Sequence, residues 1–571
     1  MSFTVHFPLE GISVAVAPGT TVLEAQIAAG LNVEAPCGGR GTCGKCTVAC
    51  RPVGEAAYAK VRACQTRVFE DLEVLRREEA AGMPVMVEGT GSGQAVCDPV
   101  VRSARLHVAP CPRGRSVSDW LRLCRALNAA FGERTWEPSL EVCRDLSGRL
   151  QAGKGEVWAV VSGGHVLEVS AEKPRTCMVA FDLGTTTIAG YLIDAQTGLT
   201  LATSGAPNPQ ARYGADVISR ADYALTHGVD ALSGCAREAL NGLTRQMCAE
   251  ARVGTDRVFA FMLAGNTAMH HLFLGISPDA LVRAPYNPVI DQPLSTEAGA
   301  CGLAGHPRAR LHVLPVIGGY VGADTVACLI SGDWLRREAL SLMIDIGTNG
   351  ELVLGSRRRR LACSTAAGPA LEGAKISCGM RAARGAVDHV WLEDGEIRWH
   401  VIGEGEAEGL CGSGLVDLVA VLLACGKLDE NGRLEDGDRF ELGRTGVTLT
   451  QKDVREVQLA KAAIAAGIRL MCQKMGVALS EIEQVEIAGA FGNYIDPDNA
   501  CAIGLIPKEL RPHINQVGNA AGEGARLALL DAQRWSQADA LARETEFLEL
   551  ATMPEFQDAF VDQLTFCEDE E

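Results

Sequence analysis

The sequence predicts an α/β multidomain chain: a small cysteine-bearing, β-rich N-terminal unit, a short α/β middle unit and a long two-lobed nucleotide-binding unit. Three observations carry this. Cys37, Cys43, Cys46 and Cys64 form the pattern C-x5-C-x2-C-x17-C. A strand, Asp-x-Gly-Thr turn, strand phrase occurs twice, at Asp182 and at Asp345. The chain has 571 residues, too many for one hydrophobic core, so several domains are expected.

In the first unit, Thr4-Val5-His6-Phe7 and Ile12-Ser13-Val14-Ala15-Val16 read as two strands joined by a glycine-containing turn. Thr20-Thr21-Val22-Leu23-Glu24-Ala25 opens a short helix, with a Thr cap and Glu in the first turn. Three of the four cysteines then fall on one short glycine-rich loop, Pro36 to Cys46, and Cys64 returns from a later segment. Three thiolates on one loop and a fourth from elsewhere suit a [2Fe-2S] cluster as the metal group, with Cys37, Cys43, Cys46 and Cys64 as ligands. The glycines let the loop take positive φ and bring backbone N–H groups to the sulfurs, where they tune the reduction potential. Zinc is the alternative, but a zinc ribbon shows two C-x2-C knuckles and here Cys64 stands alone. Cys50 lies outside the pattern and reads as a small, buried or partly exposed thiol.

Composition sets bounds. Hydrophobic residues make up 47%, ample for globular packing, and the formal net charge of −18 argues against nucleic acid or an anionic membrane surface as partner. The N-terminus has no basic stretch followed by an apolar one, so no signal peptide is read, and no apolar run reaches membrane-spanning length. The 21 cysteines are dispersed, which suits free, mostly buried thiols in a reducing cytoplasm.

Residues 1–85 are assigned to the cluster unit and 86–103 to a linker, on the Glu88-Gly89-Thr90-Gly91-Ser92-Gly93 composition. Residues 104–175 form the middle α/β unit, with a Ser-capped helix from Ser116 and strands at Glu156–Val161 and Val166–Val169. No catalytic constellation is evident there. Residues 176–571 form the nucleotide-binding unit, with lobes at about 176–340 and 341–565.

In that unit, Met178-Val179-Ala180-Phe181 runs into Asp182-Leu183-Gly184-Thr185-Thr186-Thr187 and returns as a strand; Leu342-Met343-Ile344 runs into Asp345-Ile346-Gly347-Thr348-Asn349 and does the same. The chemistry is phosphate binding. Gly184 and Gly347 are expected to serve the tight turn and close approach, and Thr185, Thr186, Thr187, Thr348 and Asn349 to offer hydroxyls, amide groups and turn N–H groups to phosphate oxygens. Asp182 and Asp345 are the catalytic candidates: each stands where it can hold Mg²⁺ through water or position the attacking water. A third element, Val485 to Asn493, is an apolar strand entering a glycine turn, where Gly489, Ala490, Gly492 and Asn493 leave room for a flat base or ribose. Gly518 to Ala525 is a similar small-residue turn, and no G-x4-G-K-S/T motif is present.

In this order the three elements resemble the phosphate-1, phosphate-2 and adenosine segments of the actin, sugar kinase and Hsp70 ATPase superfamily. The N-terminal order of hairpin, helix, cysteine loop and later strand resembles the β-grasp ferredoxin domain over about the first 80 residues. The x5 spacing departs from the plant-type x4, and the gap to Cys64 is short. Together the modules resemble the reductive activators of corrinoid proteins, on the Asp182 turn, Asn208 to Val217, Gly265 to His271, the Asp345 turn, Ala366 to Gly373 and Ile487 to Asp496.

The resemblance implies a β-grasp [2Fe-2S] ferredoxin domain, a small middle domain and a two-lobed actin-like ATPase, in a homodimer using ATP and Mg²⁺. It implies an ATP-hydrolysing enzyme that returns a corrinoid methyl-carrier from Co(II) to Co(I), in a methyltransferase system, with an upstream low-potential electron donor. The Co(II)/Co(I) couple is more negative than a plant-type centre at about −400 mV, which is why ATP would be needed. The alternatives are an activator of a dehydratase or reductase-type enzyme, or a small-molecule kinase of the same superfamily.

Other segments carry balanced readings. Arg212 and Asp216 could face the cleft or serve as loop and cap. His270 and His271, adjacent on a helix, are expected to point to different faces and make a poor metal pair. Gly-rich turns at Ser364–Gly373 and Gly412–Asp417 could bind anions at helix starts or simply pack. Arg357 to Arg360 reads as a solvated hairpin tip.

Overall fold

The computed structural model describes residues 2–31, 33, 35, 39, 41, 46–55, 57–76, 98–111, 116–347, 349–373, 375–403, 405–435, 437–489, 492 and 494–566. The N-terminal unit is a five-stranded sheet of β1 (Phe3–Phe7), β2 (Ile12–Val16), β3 (Thr47–Pro52), β4 (Ala59–Arg62) and β5 (Leu72–Leu75), in the order β2-β1-β5-β3-β4. The β1–β5 pair is parallel and the other pairs are antiparallel. Helix α1 (Val22–Ala28) starts as its sequence requires: the Thr21 hydroxyl caps the Glu24 amide and Glu24 returns the bond to the Thr21 amide. Alternating Val5, Phe7, Leu72 and Val74 bury one sheet face against Val22 and Ala25 of this helix. This is the expected β-grasp arrangement.

The middle unit pairs β6 (Val101–His107), β7 (Glu156–Ser162) and β8 (His165–Ser170) in one antiparallel sheet, covered by α2 (Asp119–Phe131) and α3 (Leu140–Ala152), each with a Ser N-cap. Its first strand overturns part of the linker assignment. Asp98 and Val100 donate their amides to the carbonyls of Leu530 and Leu529, at 3.1 and 2.9 Å, and β6 is under way by Val101. The apolar Val100-Val101 pair joins the core of the nucleotide-binding unit, so composition at 86–97, which lies outside the described residues, says nothing about 98–103.

The long unit is built from two copies of one sheet. The first comprises β9 (Cys177–Leu183), β10 (Thr187–Asp194), β11 (Thr200–Pro207), β12 (Val258–Gly265), β13 (Leu294–Glu297) and β14 (Arg310–Val313), ordered β11-β10-β9-β12-β14-β13. Helices α4 (Val217–His227), α5 (Asp230–Glu250) and α6 (Thr267–Leu274) accompany it, and α7 (Ala323–Ser331) follows.

The second copy begins with β15 (Ser341–Ile346), β16 (Gly350–Gly355) and β17 (Arg360–Thr365). An excursion follows: β18 (Ala386–Glu393), β19 (Glu396–Val401), β20 (Gly409–Leu410), α8 (Gly412–Ala424), β21 (Arg439–Glu441), β22 (Thr448–Thr450) and the long α9 (Gln451–Met475). The sheet is completed by β23 (Gln484–Ala488) and β24 (Ile514–Gly518), with α10 (Pro497–Ala502) between them. Helices α11 (Ala520–Leu530) and α12 (Ala532–Arg543), strand β25 (Thr545–Leu548) and α13 (Pro554–Asp562) end the chain.

The second sheet runs β24-β23-β15-β16-β17-β25. In both sheets the first three strands are antiparallel and the next two add in parallel beside the first. The repeated Asp-x-Gly-Thr phrase therefore falls at equivalent hairpins of two related lobes.

Helix α7 leaves the first lobe, while α11 leaves β24 of the second and packs back on β9 and β12 of the first. The two helices cross in contact: a Cβ on Gly524 would lie 1.8 Å from the Ala327 carbonyl oxygen, so only glycine permits the approach. The arginine run is corrected in one position. Arg360 is the first residue of β17, fully buried, with its guanidinium on Glu544 at 3.0 Å; strand register turns it inward.

Candidate nucleotide cleft and cluster loop

Asp182, next to last in β9, lies in register with Ala189 on β10 and Ala264 on β12. The turn after it closes with the Gly184 amide on the Thr187 carbonyl at 2.9 Å, and a Cβ on Gly184 would sit 2.9 Å from that oxygen. Neighbours hold the turn rigid. Asn208 donates its side-chain amide to the Gly184 carbonyl at 2.8 Å and its backbone amide to the Thr186 carbonyl at 2.8 Å. Asn266, the N-cap of α6, donates to the Thr185 hydroxyl at 2.8 Å. Arg220 is fully buried and donates to the Thr185 carbonyl at 2.6 Å. Sequence reasoning missed Arg220. Arg212 and Asp216, which it weighed, serve locally: Arg212 bonds the Pro209 carbonyl, and Asp216 caps α4 in a capping box with Ser219.

The second turn is built alike. Asp345 lies in register with Glu351 on β16 and Ala488 on β23, and Gly347 donates its amide to the Asn349 carbonyl at 2.9 Å. The expected steric need for glycine does not extend to Gly347, where a Cβ would find nothing nearer than 3.7 Å. Thr348 lies outside the described residues. Glu372, missed in the sequence, reaches both turns: it accepts from the Thr186 hydroxyl at 3.2 Å, and its other oxygen lies 4.0 Å from where a Gly347 Cβ would stand. Its signal was the glycine-rich segment Ala366–Gly373.

The third element packs directly on the second. Gly489 has φ +89°, and a Cβ there would lie 2.5 Å from Asp345 Oδ1. Gly492 could not carry a Cβ either, since the Ala488 carbonyl oxygen would be 2.4 Å away. Gln516 of β24 donates to the Gly492 carbonyl at 2.9 Å. Ala490 and Asn493 lie outside the described residues.

The structure brings Asp182 and Asp345 to one acidic floor. Loss of solvent, then the Asp324 charge, push the Asp182 carboxyl up to about 7, against a hydrogen bond from Asn519 at the start of α11. Loss of solvent, then Asp324 and Asp182, raise Asp345 to about 7. Asp324, in the first turn of α7, and Glu351 are raised mainly by burial. Neither was foreseen. The signal for Asp324 was Gly318-Gly319-Tyr320-Val321-Gly322 before it, where a Gly322 Cβ would meet both Asn266 and Asp324.

Among the described residues, no three His, Cys, Asp or Glu side chains stand close enough to cage a metal ion. Mg²⁺ takes one or two carboxylates, keeps waters and binds phosphate oxygens, so an acidic floor of hard oxygen donors without a closed cage fits it. His270 and His271 do not diverge as expected. Their Nδ1 atoms are 3.3 Å apart, both rings are buried, and His271 already uses both nitrogens, on Thr267 and Val289.

In the N-terminal unit, Cys37 and Cys43 lie outside the described residues. Cys46 is buried just before β3 and Cys64 is half-buried after β4. Gly39 and Gly41 have φ +82° and +77°; a Gly39 Cβ would lie 3.9 Å from the Cys64 Cβ, and a Gly41 Cβ would strike Gln65 at 2.4 Å. The positive φ of both residues is the reason glycine suits these positions, and it brings Gly39 beside the Cys64 segment. Cys50 is buried in β3 and its thiol is raised by burial, which suits a packing role.

Comparison with known proteins agrees along the chain. Family descriptions match as a 2Fe-2S iron-sulfur cluster binding domain over residues 2–79, the RACo middle region over 177–335, and the C-terminal domain of RACo, the ASKHA domain, over 339–571. That middle region is the first lobe, distinct from the unit around β6–β8. The corrinoid activation enzyme RamQ of Eubacterium limosum is 34% identical over 590 aligned residues, covering 98% of each chain. The [Co(II) methylated amine-specific corrinoid protein] reductase of Methanosarcina barkeri is 29% identical, covering 68% of this chain and 76% of that one. A solved reductive activator for a corrinoid, iron-sulfur protein superposes with a TM-score of 0.75 at 30% identity, covering 99% and 98%.

Proposed function

The chain belongs to the family of corrinoid activation enzymes, and from that footing we propose that it returns the cobalt of a corrinoid methyl-carrier protein from Co(II) to Co(I), driven by ATP hydrolysis. The observation that carries this reading is the union, in one chain, of a four-cysteine ferredoxin module with two related Asp turns, together with 34% identity over 98% of its length to a corrinoid activation enzyme. The step adds one electron to the partner's Co(II). The N-terminal module gives up that electron and regains it from an upstream low-potential donor. ATP becomes ADP and phosphate.

The residue roles follow from chemistry. Cys37, Cys43, Cys46 and Cys64 hold a [2Fe-2S] cluster, which when bound supplies one-electron chemistry. Gly184 to Thr187 and Gly347 to Asn349 bind phosphate oxygens, while Gly489 to Asn493 take the adenosine side. Asp182 and Asp345 organise Mg²⁺ and its waters. In this reading Glu372, bonded to the first turn and close to the second, accepts the proton of the attacking water. A kinase would need an acceptor pocket with its own base, and no motif in the sequence supplies one.

A cost of roughly 2.3 kcal/mol attends each 100 mV of uphill transfer for one electron. Closure of two lobes around ATP offers a rigid-body change able to meet it. Among the described residues no helix is long and apolar enough to cross a membrane, which suits the cytoplasmic site this chemistry needs. A homodimer completes the reading and is checked by light scattering. The reading itself is tested by following the corrinoid spectrum anaerobically with reductant, Mg²⁺ and ATP: Co(I) appears if it holds, and its absence with an active partner protein overturns it.

A further inference from the structure

Behind the cleft, on the far side of the carboxylate floor, lies a cavity of about 610 Å³, within the usual range of about 300–1,000 Å³ for small-ligand sites. It is walled by the end of α7 (Cys328, Ser331), the connector 332–339, Met343 of β15, Glu486 of β23, Val517 of β24 and Ala520 of α11. These walls include both covalent passages between the lobes, α7 to β15 and β24 to α11. The cavity is a half-open hollow at the junction of the two lobes, with a buried floor and an exposed, charged rim.

The lining has a defined chemistry. Met343, Cys328 and Ala520 are buried and form an apolar floor. Arg337 stands over it, its side chain only 8% exposed and its guanidinium 4.9 Å from the Trp334 ring. Its Nη2 donates to the Gly332 carbonyl at 2.7 Å and to Glu486 at 2.5 Å, but Nη1 is buried with no hydrogen-bond partner among the described residues. A buried guanidinium donor is costly to leave unmade. The other charges are engaged: Arg336 faces Asp333 at 3.6 Å and Glu338 pairs with Arg357. One donor thus asks for an acceptor. A polyanion would find Glu486, Asp333 and Glu338 around it, so the ligand carries one negative charge at most.

We infer that this hinge cavity is a second small-molecule site, taking a small monocarboxylate with an apolar body, oxygen to Arg337 and body on Met343 and Cys328, and that it is coupled to the nucleotide cleft. Coupling follows from shared elements. Cys328 is one turn beyond Asp324 on α7, Met343 two residues before Asp345 on β15, Glu486 three before Gly489, and Ala520 next to Asn519. Four walls of the cavity, on α7, β15, β23 and α11, thus run into residues of the cleft, so a ligand that fixes the cavity's shape constrains the relation of the carboxylates. Only the coupling rests on the function proposed above; occupancy of the cavity does not.

The test uses the full cluster-loaded chain and benzoate as probe, with benzamide as its uncharged counterpart. Saturable benzoate binding by calorimetry is expected, at least tenfold weaker for benzamide. Arg337→Met should lose it, and Ala339→Trp, which fills the cavity from the connector and leaves the Arg337–Glu486 pair alone, should lose it too. ATP and benzoate should shift each other's affinity by the same factor. No saturation up to about 10 mM, equal benzamide binding, or unchanged benzoate binding in Ala339→Trp overturns the site. Benzoate binding that is indifferent to ATP, in protein that still binds ATP, overturns the coupling.

Discussion

Thr186 in the first lobe and Glu372 in the second are joined across the cleft, the threonine hydroxyl donating to the carboxylate at 3.2 Å. The two residues are 186 positions apart, and the bond links the Asp182 turn to the segment beside the Asp345 turn. If the base role proposed for Glu372 holds, this carboxylate, bonded to the first turn and close to the second, would act on the water that attacks a terminal phosphate.

Glu372→Gln therefore separates binding from hydrolysis. ATP affinity should stay within a few-fold, because the amide still meets Thr186. Single-turnover hydrolysis should fall by about 10²-fold or more, the usual worth of a positioned base. Full turnover in this variant would leave Glu372 a latch only.

With Asp182 and Asp345 at the nucleotide, ATP binding should be pH-dependent. With Asp182 and Asp345 raised to about 7, Mg·ATP must displace protons as it binds, so affinity should rise with pH through about 7. Asp324 raises both carboxyls, so Asp324→Asn should shift the midpoint of that rise to lower pH. A titration by nucleotide fluorescence with no midpoint shift would contradict the assigned cause.

The same carboxyls should contribute a pH-dependent part of the stability of the nucleotide-free protein. Their folded-state values lie above the unfolded value, so the folded chain binds more protons between about 4 and 7. Stability from these groups is fully present below about 4 and is lost as pH rises through 7. Asp345→Asn should flatten this decline in the thermal midpoint measured without Mg²⁺ and nucleotide, and restore nothing to hydrolysis.

Much of this was legible in the sequence. The cysteine spacing, the capped helix at Thr21 and both Asp turns are local signals, written in a few consecutive residues with strand patterns on either side. Arg220 and Glu351 were not legible, and Asp324 and Glu372 had only a glycine-rich neighbourhood as signal, because each is one charged residue whose surroundings are set by elements far away in the chain. Arg360 shows the same limit: four arginines look solvated until register turns the last one inward. Gly347 shows the converse, a residue of the motif whose lack of a side chain no neighbour demands.

The cluster assignment divides the cysteines sharply. Cys46→Ser and Cys64→Ser should each lose the red-brown colour and about two irons and two sulfides per chain, with ATP binding retained in the separate lobes. Cys50→Ala should keep both. Iron content unchanged in Cys64→Ser, or stoichiometric zinc in anaerobically prepared protein, would refute the ligand set.

The central claim is that ATP hydrolysis drives an electron from the N-terminal module to cobalt. The direct measurement is an anaerobic spectroscopic assay of a Co(II) corrinoid protein mixed with the reduced full chain and Mg²⁺, compared with ATP, with a non-hydrolysable analogue and with no nucleotide. Co(I) should accumulate over repeated turnovers with ATP alone, and residues 1–85 by themselves should yield none. Equal Co(I) in all three arms would mean that nucleotide does not drive the transfer, and the chain would be a ferredoxin module joined to an ATPase of separate purpose.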